Sequence, residues 1–192
     1  MDRKELLKLN STFDVNEETL LYGITPRLGS HIAKRFKLMT VLETCSGAGF
    51  LTIELAKVAK KVIAVDVNAD FLKQAGHNTS LEGIQDKIDF LHGDILSPIV
   101  LKKIIGVDAA ILDPVWNDQT LAGMSPPADQ LFQVVSKKTP NIALILPPSI
   151  DKTSLNQFPP YELGKLYQDG ELALFCLYFG TLKHEEESEF RA

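Results

Sequence analysis

The sequence has few cysteines, scattered histidines and no long apolar run. Two cysteines among 192 residues are too few for a disulfide framework, so we expect a reducing, cytoplasmic location. The four histidines lie too far apart in sequence to form a local metal motif, so we predict no metal. No stretch approaches about eighteen uninterrupted apolar residues, and the start of the chain has no signal-peptide core, so we expect no membrane association.

The net charge is −5, which excludes a broad basic surface for nucleic acid but not a small RNA contact. The length predicts a single domain over residues 1–192. Residues 1–24 form an N-terminal extension with a short amphipathic segment (Leu6, Leu7, Leu9), and residues 184–192 form an acidic tail that we expect to be frayed.

Residues 40–66 contain the pattern around which the chain is organised. An apolar run ends in the turn Glu43-Thr44-Cys45-Ser46-Gly47-Ala48-Gly49, and apolar residues then recur at helical spacing. A second apolar run ends at Asp66. This order predicts a βαβ unit that holds a nucleotide-like ligand, with the glycines letting the backbone approach it and Asp66 accepting hydrogen bonds from a ribose diol.

The same turn indicates which nucleotide it binds. Thr52 stands where a dinucleotide fingerprint has its third glycine, and no Gly-Lys-Ser/Thr is present, which excludes a P-loop. Glu43 precedes the turn, and Lys and Arg are absent between Thr40 and Leu55, so the loop suits a cationic ligand without phosphates. S-adenosylmethionine, an adenosine that bears a sulfonium, fits this description. The alternative is that the glycine turn is only structural.

Further cofactor contacts are predicted on either side of this unit. Gly23-Ile24-Thr25-Pro26 predicts the start of a helix over residues 26–36, and Thr25 serves either as its cap or as a contact to the amino-acid part of the ligand. Val67 directly follows Asp66. Asp94 and Ile95 follow the third strand and are placed to hold an adenine, although Asp94 alternatively caps the next turn. The full set of predicted cofactor-binding residues is Thr25, Glu43, Cys45, Gly47, Gly49, Asp66, Val67, Asp94 and Ile95.

The remaining pattern predicts an α/β, Rossmann-like fold. Apolar strands alternate with helices up to a fifth strand at Ile142–Leu146, and a helix is expected over residues 149–157. Two β-like runs joined by Asp169-Gly170 then predict a hairpin. We therefore expect a seven-stranded, mostly parallel sheet with helices on both faces and an antiparallel C-terminal strand, which is the plan of class I methyltransferases.

The predicted catalytic residues, Asp113, Pro114 and Trp116, directly follow the fourth strand. In an open α/β sheet this strand neighbours the first, so the segment should face the transferred methyl group. A carboxylate and a backbone carbonyl that accept both N–H bonds of an aryl amine would orient its nitrogen lone pair. Trp116 offers a flat face for a purine. Asp-Pro is also a common strand-to-turn junction, and a single Trp often serves packing.

At this point the chain resembles the trimethylguanosine synthase (RNA cap guanine-N2 methyltransferase) family from about Tyr22 to Leu182. The motifs are Ile24-Thr25-Pro26 with His31-Ile32-Ala33, the Cys45–Gly49 turn, Val62–Val67, Gly83–Phe90, Gly93-Asp94, Pro114-Val115-Trp116, Ile142–Pro147 and Tyr178-Phe179-Gly180. The resemblance implies S-adenosylmethionine-dependent methylation of guanine N2 in an RNA or guanine nucleotide, with Trp116 on the base and Thr25 and the glycine turn on the cofactor. The family usually has Ser-Pro-Pro-Trp followed by glycines, whereas this chain has Asp-Pro-Val-Trp-Asn-Asp.

Two alternatives stay open from the sequence. One is a class I methyltransferase for another planar amine, in a small molecule or a protein amide. The other is a non-catalytic relative of the fold that works as a partner subunit.

Overall fold

We describe the protein from a computed structural model, which covers residues 12–192. The amphipathic segment predicted at Leu6, Leu7 and Leu9 lies outside the described residues. Within residues 12–192, none of the helices is long and apolar enough to cross a membrane.

Eight strands within residues 12–192 form one sheet, in the order β3-β2-β1-β4-β5-β7-β6-β8. Strands β1 to β5 are parallel, and β7 is antiparallel to both of its neighbours, β5 and β6. The strands are β1 Thr40–Thr44, β2 Lys61–Asp66, β3 Ile88–His92, β4 Ala109–Leu112, β5 Ile142–Leu146, β6 Glu162–Gln168, β7 Glu171–Tyr178 and β8 Glu187–Arg191. The predicted α/β, Rossmann-like methyltransferase fold is confirmed, but the sheet has eight strands within residues 12–192 instead of the predicted seven, because residues 187–191 add β8.

Helices cover both faces of this sheet. They are α1 Glu17–Tyr22, α2 Pro26–Ala33, α3 Phe50–Val58, α4 Ala69–Leu81, α5 Pro98–Lys103 and α6 Ala128–Val135. Helices α2 and α3 pack on one core, and α5 and α6 pack on the other. The helix predicted over residues 26–36 is α2 followed by a 3₁₀ turn at Lys34–Phe36, and the segment predicted as helical before β6 is a 3₁₀ helix at Lys152–Gln157.

The central strands are buried because both of their faces are covered. All five residues of β5, Ile-Ala-Leu-Ile-Leu, are fully buried, and β4 is buried along its whole length. Strands of a doubly covered parallel sheet are therefore continuous apolar runs, without the alternation of a half-exposed strand. This is why the sequence locates β5 at its observed bounds.

The frayed tail was a wrong prediction, since residues 187–191 form β8, parallel to β6. Phe190 packs against the first core, and Arg191 lies 4.1 Å above the Tyr167 ring centre.

Buried Glu162 accepts hydrogen bonds from both terminal nitrogens of Arg35, at 2.6 and 3.0 Å, and from the Ser188 hydroxyl. Burial by itself raises the pKa of Glu162, but these donors lower it to about 2. The sequence prediction missed β8 because the tail is acidic, so the alternation that places Phe190 against the core was not recognised.

Candidate active site

A cavity of about 380 Å³ lies at the carboxyl ends of β1, β2 and β4. Strand β1 lies between β2 and β4, so the cavity is at the point where the strand order reverses. Ten of the predicted site residues line it: Glu43, Cys45, Gly47, Asp66, Val67, Asp94, Ile95, Asp113, Pro114 and Trp116. The fold therefore brings together side chains that are dispersed over more than seventy positions of the sequence.

The glycine turn lies directly after β1 and has an unusual backbone. Cys45, Gly47 and Gly49 have φ values of 59°, 54° and 83°. A Cβ on Gly47 would meet no atom within 4 Å, because this residue borders the cavity. A Cβ on Gly49 would lie 3.0 Å from the Ala75 Cβ, so Gly49 permits α3 and α4 to pack closely. Gly49 does not line the cavity, so its contact with the cofactor stays a prediction that the geometry does not support.

Asp66 joins the end of β2 to this turn. Its Oδ2 accepts the Gly47 N–H at 2.8 Å, and its Oδ1 accepts the Asn68 N–H at 2.8 Å. Burial raises the pKa of Asp66, and the two backbone hydrogen bonds act against that rise. Each carboxylate oxygen keeps a second lone pair. Asp66 can therefore hold the turn and still accept hydroxyl donors from a ligand.

Three buried polar side-chain atoms at the turn and the start of α3 lack a partner within residues 12–192. They are Oε2 of Glu43, Oγ of Ser46 and Oγ1 of Thr52. Glu43 is only 1% exposed, and burial raises its pKa to about 8; the nearby Thr52 hydroxyl acts against this rise, and Asp113 and Asp66 add to it. Unsatisfied buried polar groups are rare in folded proteins, and Glu43 and Ser46 both line the cavity. Together they fit the cationic amino-acid part of S-adenosylmethionine.

The side of the cavity next to β2 and β3 is apolar. Ile95 is buried, and Val67 is 69% exposed although it is apolar. The Asp94 Oδ1 accepts the Leu96 N–H at 2.8 Å, so the alternative turn-capping role of Asp94 is realised in the structure. Asp94 is nevertheless exposed at the cavity wall and retains its second oxygen. A flat ring bordered by Val67 and Ile95 would have a carboxylate beside it.

Thr25 does not line the cavity, so its cofactor contact stays a prediction that the geometry does not support. Its side chain is fully buried, and its hydroxyl donates to the Gln168 Oε1 at 2.8 Å. Thr25 does occupy the N-cap position of α2, but its side chain makes no capping hydrogen bond. The neighbouring Ile24 lines the cavity in its place. The packing of α2 on the β6–β7 hairpin determines the position of Thr25, and Gln168, the partner of Thr25, lies 143 positions away in the sequence.

Helix α1 forms a wall that the sequence prediction treated only as an extension. Glu18, Thr19, Leu21 and Tyr22 line the cavity, and Leu21 and Tyr22 are 54% and 43% exposed. Asn16 and Thr19 form a capping box that starts the helix. The Asn16-x-x-Thr19 spacing before Leu20-Leu21-Tyr22 was the available signal.

Asn78 of α4 holds the segment before α1 against the glycine turn. Its Nδ2 donates to the Ala48 and Asp14 carbonyls, both at 2.9 Å, and its Oδ1 accepts the Asp14 N–H at 2.7 Å. The Thr19 hydroxyl donates to the Gln74 Oε1 at 3.2 Å. The wall is therefore fixed by hydrogen bonds to α4.

Asp113 and Trp116 face the cavity opposite the turn. Burial raises the pKa of Asp113 to about 7, and no hydrogen bond from residues 12–192 opposes the rise. Trp116 is partly buried and packs against both cores, so its packing role is real. Its Nε1 is buried with no partner among the described residues. The pair therefore offers a partly buried acceptor and a ring with an unused donor.

A short bridge positions the segment that carries Asp113 and Trp116. The Val115 N–H donates to the Ser125 carbonyl at 2.9 Å, and the Ser125 N–H returns a bond to Val115 at 3.0 Å. The Asn117 Nδ2 donates to the Ser125 Oγ at 2.7 Å. The bridge does not use the Pro114 carbonyl. Ser125 and Pro126 also line the cavity, and no sequence pattern predicted them there.

No group of three or more His, Cys, Asp or Glu side chains within residues 12–192 is arranged to hold a metal ion. The chemistry of the cavity is that of carboxylates, backbone carbonyls and aromatic rings.

Comparisons with known proteins agree with this fold. The sequence model of the family described as RNA cap guanine-N2 methyltransferase matches residues 38–167. A solved structure described as a methyltransferase from Porphyromonas gingivalis W83 is similar, with a TM-score of 0.77 and 20% identity over 95% of this chain and 47% of that one. The structure of TrmK from M. capricolum, solved in complex with S-adenosylhomocysteine, has a TM-score of 0.60 and 15% identity over 84% of this chain and 70% of that one.

A curated relative shares a shorter stretch. The 23S rRNA (uracil(1939)-C(5))-methyltransferase RlmD from Shewanella sp. (strain W3-18-1) is 33% identical over 75 residues, which is 38% of this chain. The match covers 16% of that relative, so the chain shares only a small part of its length.

Proposed function

Because the chain belongs to the RNA cap guanine-N2 methyltransferase family, we propose that it is an S-adenosylmethionine-dependent N-methyltransferase that acts on the exocyclic N2 of guanine in an RNA or cap-like nucleotide. One observation carries the proposal. The partly buried Asp113 carboxylate, which accepts no hydrogen bond from residues 12–192, lies in the same cavity as the glycine turn and Trp116.

The residues around the turn fit the cofactor. Asp66 would accept the ribose hydroxyls, Glu43 and Ser46 would hold the amino-acid part, and Val67, Asp94 and Ile95 would border the adenine. When bound, S-adenosylmethionine supplies a methyl group activated by the adjacent sulfonium.

The residues after β4 fit an aryl amine as the acceptor. The Asp113 carboxylate and the Pro114 carbonyl would accept the two amine N–H bonds and so orient the nitrogen lone pair. Positive charge that develops on the nitrogen would be stabilised by the Asp113 carboxylate in a site with little water. Trp116 would stack on the base, a contact worth about 1–3 kcal/mol. Asp113 must be ionised for this role.

The experiment is calorimetric titration with S-adenosylhomocysteine, followed by 7-methylguanosine diphosphate in its presence. A methyl-transfer assay on capped RNA, uncapped RNA and guanosine, with the modified atom located by mass spectrometry, completes it. Methylation at guanine N2 would support the proposal. Cofactor binding with methyl transfer to another amine or to uracil C5 would show that guanine N2 is not the acceptor. Cofactor binding without any transfer would favour the partner-subunit role.

A further inference from the structure

A second, shallow depression lies between α2 and β8, outside the cavity. It is formed on the outer side of α2 by residues that the proposed reaction does not use. We call it the basic depression, and it is lined by Pro26, Arg27, Ser30, His31, Lys34, Glu54, Phe190, Arg191 and Ala192.

The basic depression is positively charged on a chain whose net charge is −5. Arg27, Lys34 and Arg191 are exposed around it. The Glu54 carboxylate, which also lines it, is paired with the Lys57 Nζ at 2.7 Å. Arg191 is paired with Glu189 at 3.1 Å, but both side chains are largely exposed, so this pair contributes little and is readily exchanged.

Two aromatic rings form the floor between these cations. His31 and Phe190 are stacked, with ring centres 3.9 Å apart and planes inclined by 16°, and both are only partly buried. Burial, Lys34 and Arg35, in that order, lower the pKa of His31 against an opposing contribution from Glu162, which favours the neutral ring. Cations around a flat neutral pair form a surface that suits both a phosphate backbone and a base.

The basic depression is next to the cavity along two elements. At the start of α2, Ile24 lines the cavity and Pro26 lines the basic depression. On α3, Leu51 lines the cavity and Glu54, one turn later, lines the basic depression. An RNA chain whose guanine enters the cavity would therefore extend its neighbouring nucleotides toward the basic depression.

We propose that the basic depression binds the phosphates, and stacks a base, of the RNA nucleotides next to the guanine held in the cavity. This inference rests on the proposed function, because it requires an RNA acceptor. An acidic protein segment would be attracted by the same cations but would make no use of the stacked rings. The aromatic pair therefore favours RNA as the occupant.

The test compares two double variants with equal loss of charge. Lys34→Gln/Arg191→Gln removes two cations from the basic depression, and Lys102→Gln/Lys103→Gln removes two from the last turn of α5. Anisotropy with a labelled single-stranded RNA of about 12 nucleotides is measured with S-adenosylhomocysteine present, at about 50 to 200 mM salt. Calorimetry with 7-methylguanosine diphosphate reports on the cavity alone.

We expect the depression variant to bind RNA about tenfold more weakly. Its salt dependence should also fall, by about 0.7 in log–log slope for each lost phosphate contact. Binding of S-adenosylhomocysteine and of 7-methylguanosine diphosphate should stay unchanged, as should the RNA affinity of the α5 variant. The single variant Lys34→Gln should show about half of the slope change of the double variant. Because its side chain is exposed, this substitution should not disturb folding, so it controls for a folding defect.

Three outcomes would overturn the inference. If the unaltered protein binds RNA tightly and the depression variant binds it equally well, the basic depression has no role in RNA binding, while the proposed function stands. Equal losses in the two double variants reduce the effect to general charge. If the unaltered protein binds 7-methylguanosine diphosphate but no RNA, the inference fails and the guanine acceptor remains, whereas failure of both ligands removes the proposed function as well.

Discussion

The Asp66 Oδ2 accepts a hydrogen bond from the Gly47 N–H at 2.8 Å, so the acid at the end of β2 holds the glycine turn at the end of β1. The ligand contact predicted for Asp66 and the geometry of the turn consequently depend on one side chain.

We expect Asp66→Ala to weaken S-adenosylhomocysteine binding at least tenfold, or about 1.4 kcal/mol, because the turn and the ribose contact are lost together. Calorimetry measures this. Asp70→Ala, on the exposed first turn of α4, is the matched control and should bind normally. Equal affinity of the Asp66 variant and the unaltered protein would exclude the ribose contact.

We expect Asp113→Asn to reduce kcat at least a hundredfold while cofactor affinity changes by less than about twofold, since an amide is a weaker charge-stabilising acceptor. Because burial raises the pKa of Asp113 to about 7, kcat/KM of the unaltered enzyme should rise with pH through that value. Asp129→Asn, on α6, is the control. Retained turnover in the Asp113 variant would remove this residue from the mechanism.

We expect Trp116→Ala to raise the KM for a guanine nucleotide about tenfold through loss of stacking, and to lower the melting temperature because Trp116 packs on both cores. Trp116→Phe should restore most of the affinity. The control Phe158→Ala removes a ring that packs against Phe132, so it should lower stability alone. A stability loss with no change in KM would assign Trp116 to packing only.

We expect Glu43→Gln to change how stability depends on pH. The folded pKa of Glu43 is about 8 against an ordinary value of 4.5, so the folded state binds the proton more tightly. This contribution to stability is complete below about pH 4.5 and is lost as pH rises through about 8. Urea denaturation from pH 5 to 9 should therefore show the variant gaining on the unaltered protein by at least about 1 kcal/mol.

Glu171→Gln, on the exposed end of the hairpin, is the control for that experiment. If stability curves of the Glu43 variant and the unaltered protein run parallel over this range, Glu43 is ionised in the ligand-free protein.

The sequence predicts those parts of the fold that local interactions determine. Asp169 and Gly170 have φ values of 52° and 85°, as a tight hairpin turn requires, and their dipeptide identified the turn. Strand β5 follows from an uninterrupted apolar run. The carboxylates at the ends of β1, β2 and β4 follow from the rule that such ends converge.

The parts that were missed depend on contacts between distant residues. Thr25 is turned away from the cavity by Gln168, and β8 is held by the network around Glu162, whose partner Arg35 is 127 positions away. The Asn16 cap starts α1, but the docking of that segment depends on Asn78, 64 positions from Asp14. No local pattern contains these pairings.

The bridge that Asn78 makes between the Ala48 carbonyl and the Asp14 backbone has a reciprocal consequence. A ligand that orders the glycine turn must also favour the docked position of α1, and docking of α1 must tighten ligand binding by the same factor. Hydrogen exchange of the α1 amides with and without S-adenosylhomocysteine measures this coupling, and Asn78→Ala should reduce it. Access of the ligand to the cavity and its affinity once bound would then both depend on the equilibrium between docked and undocked α1.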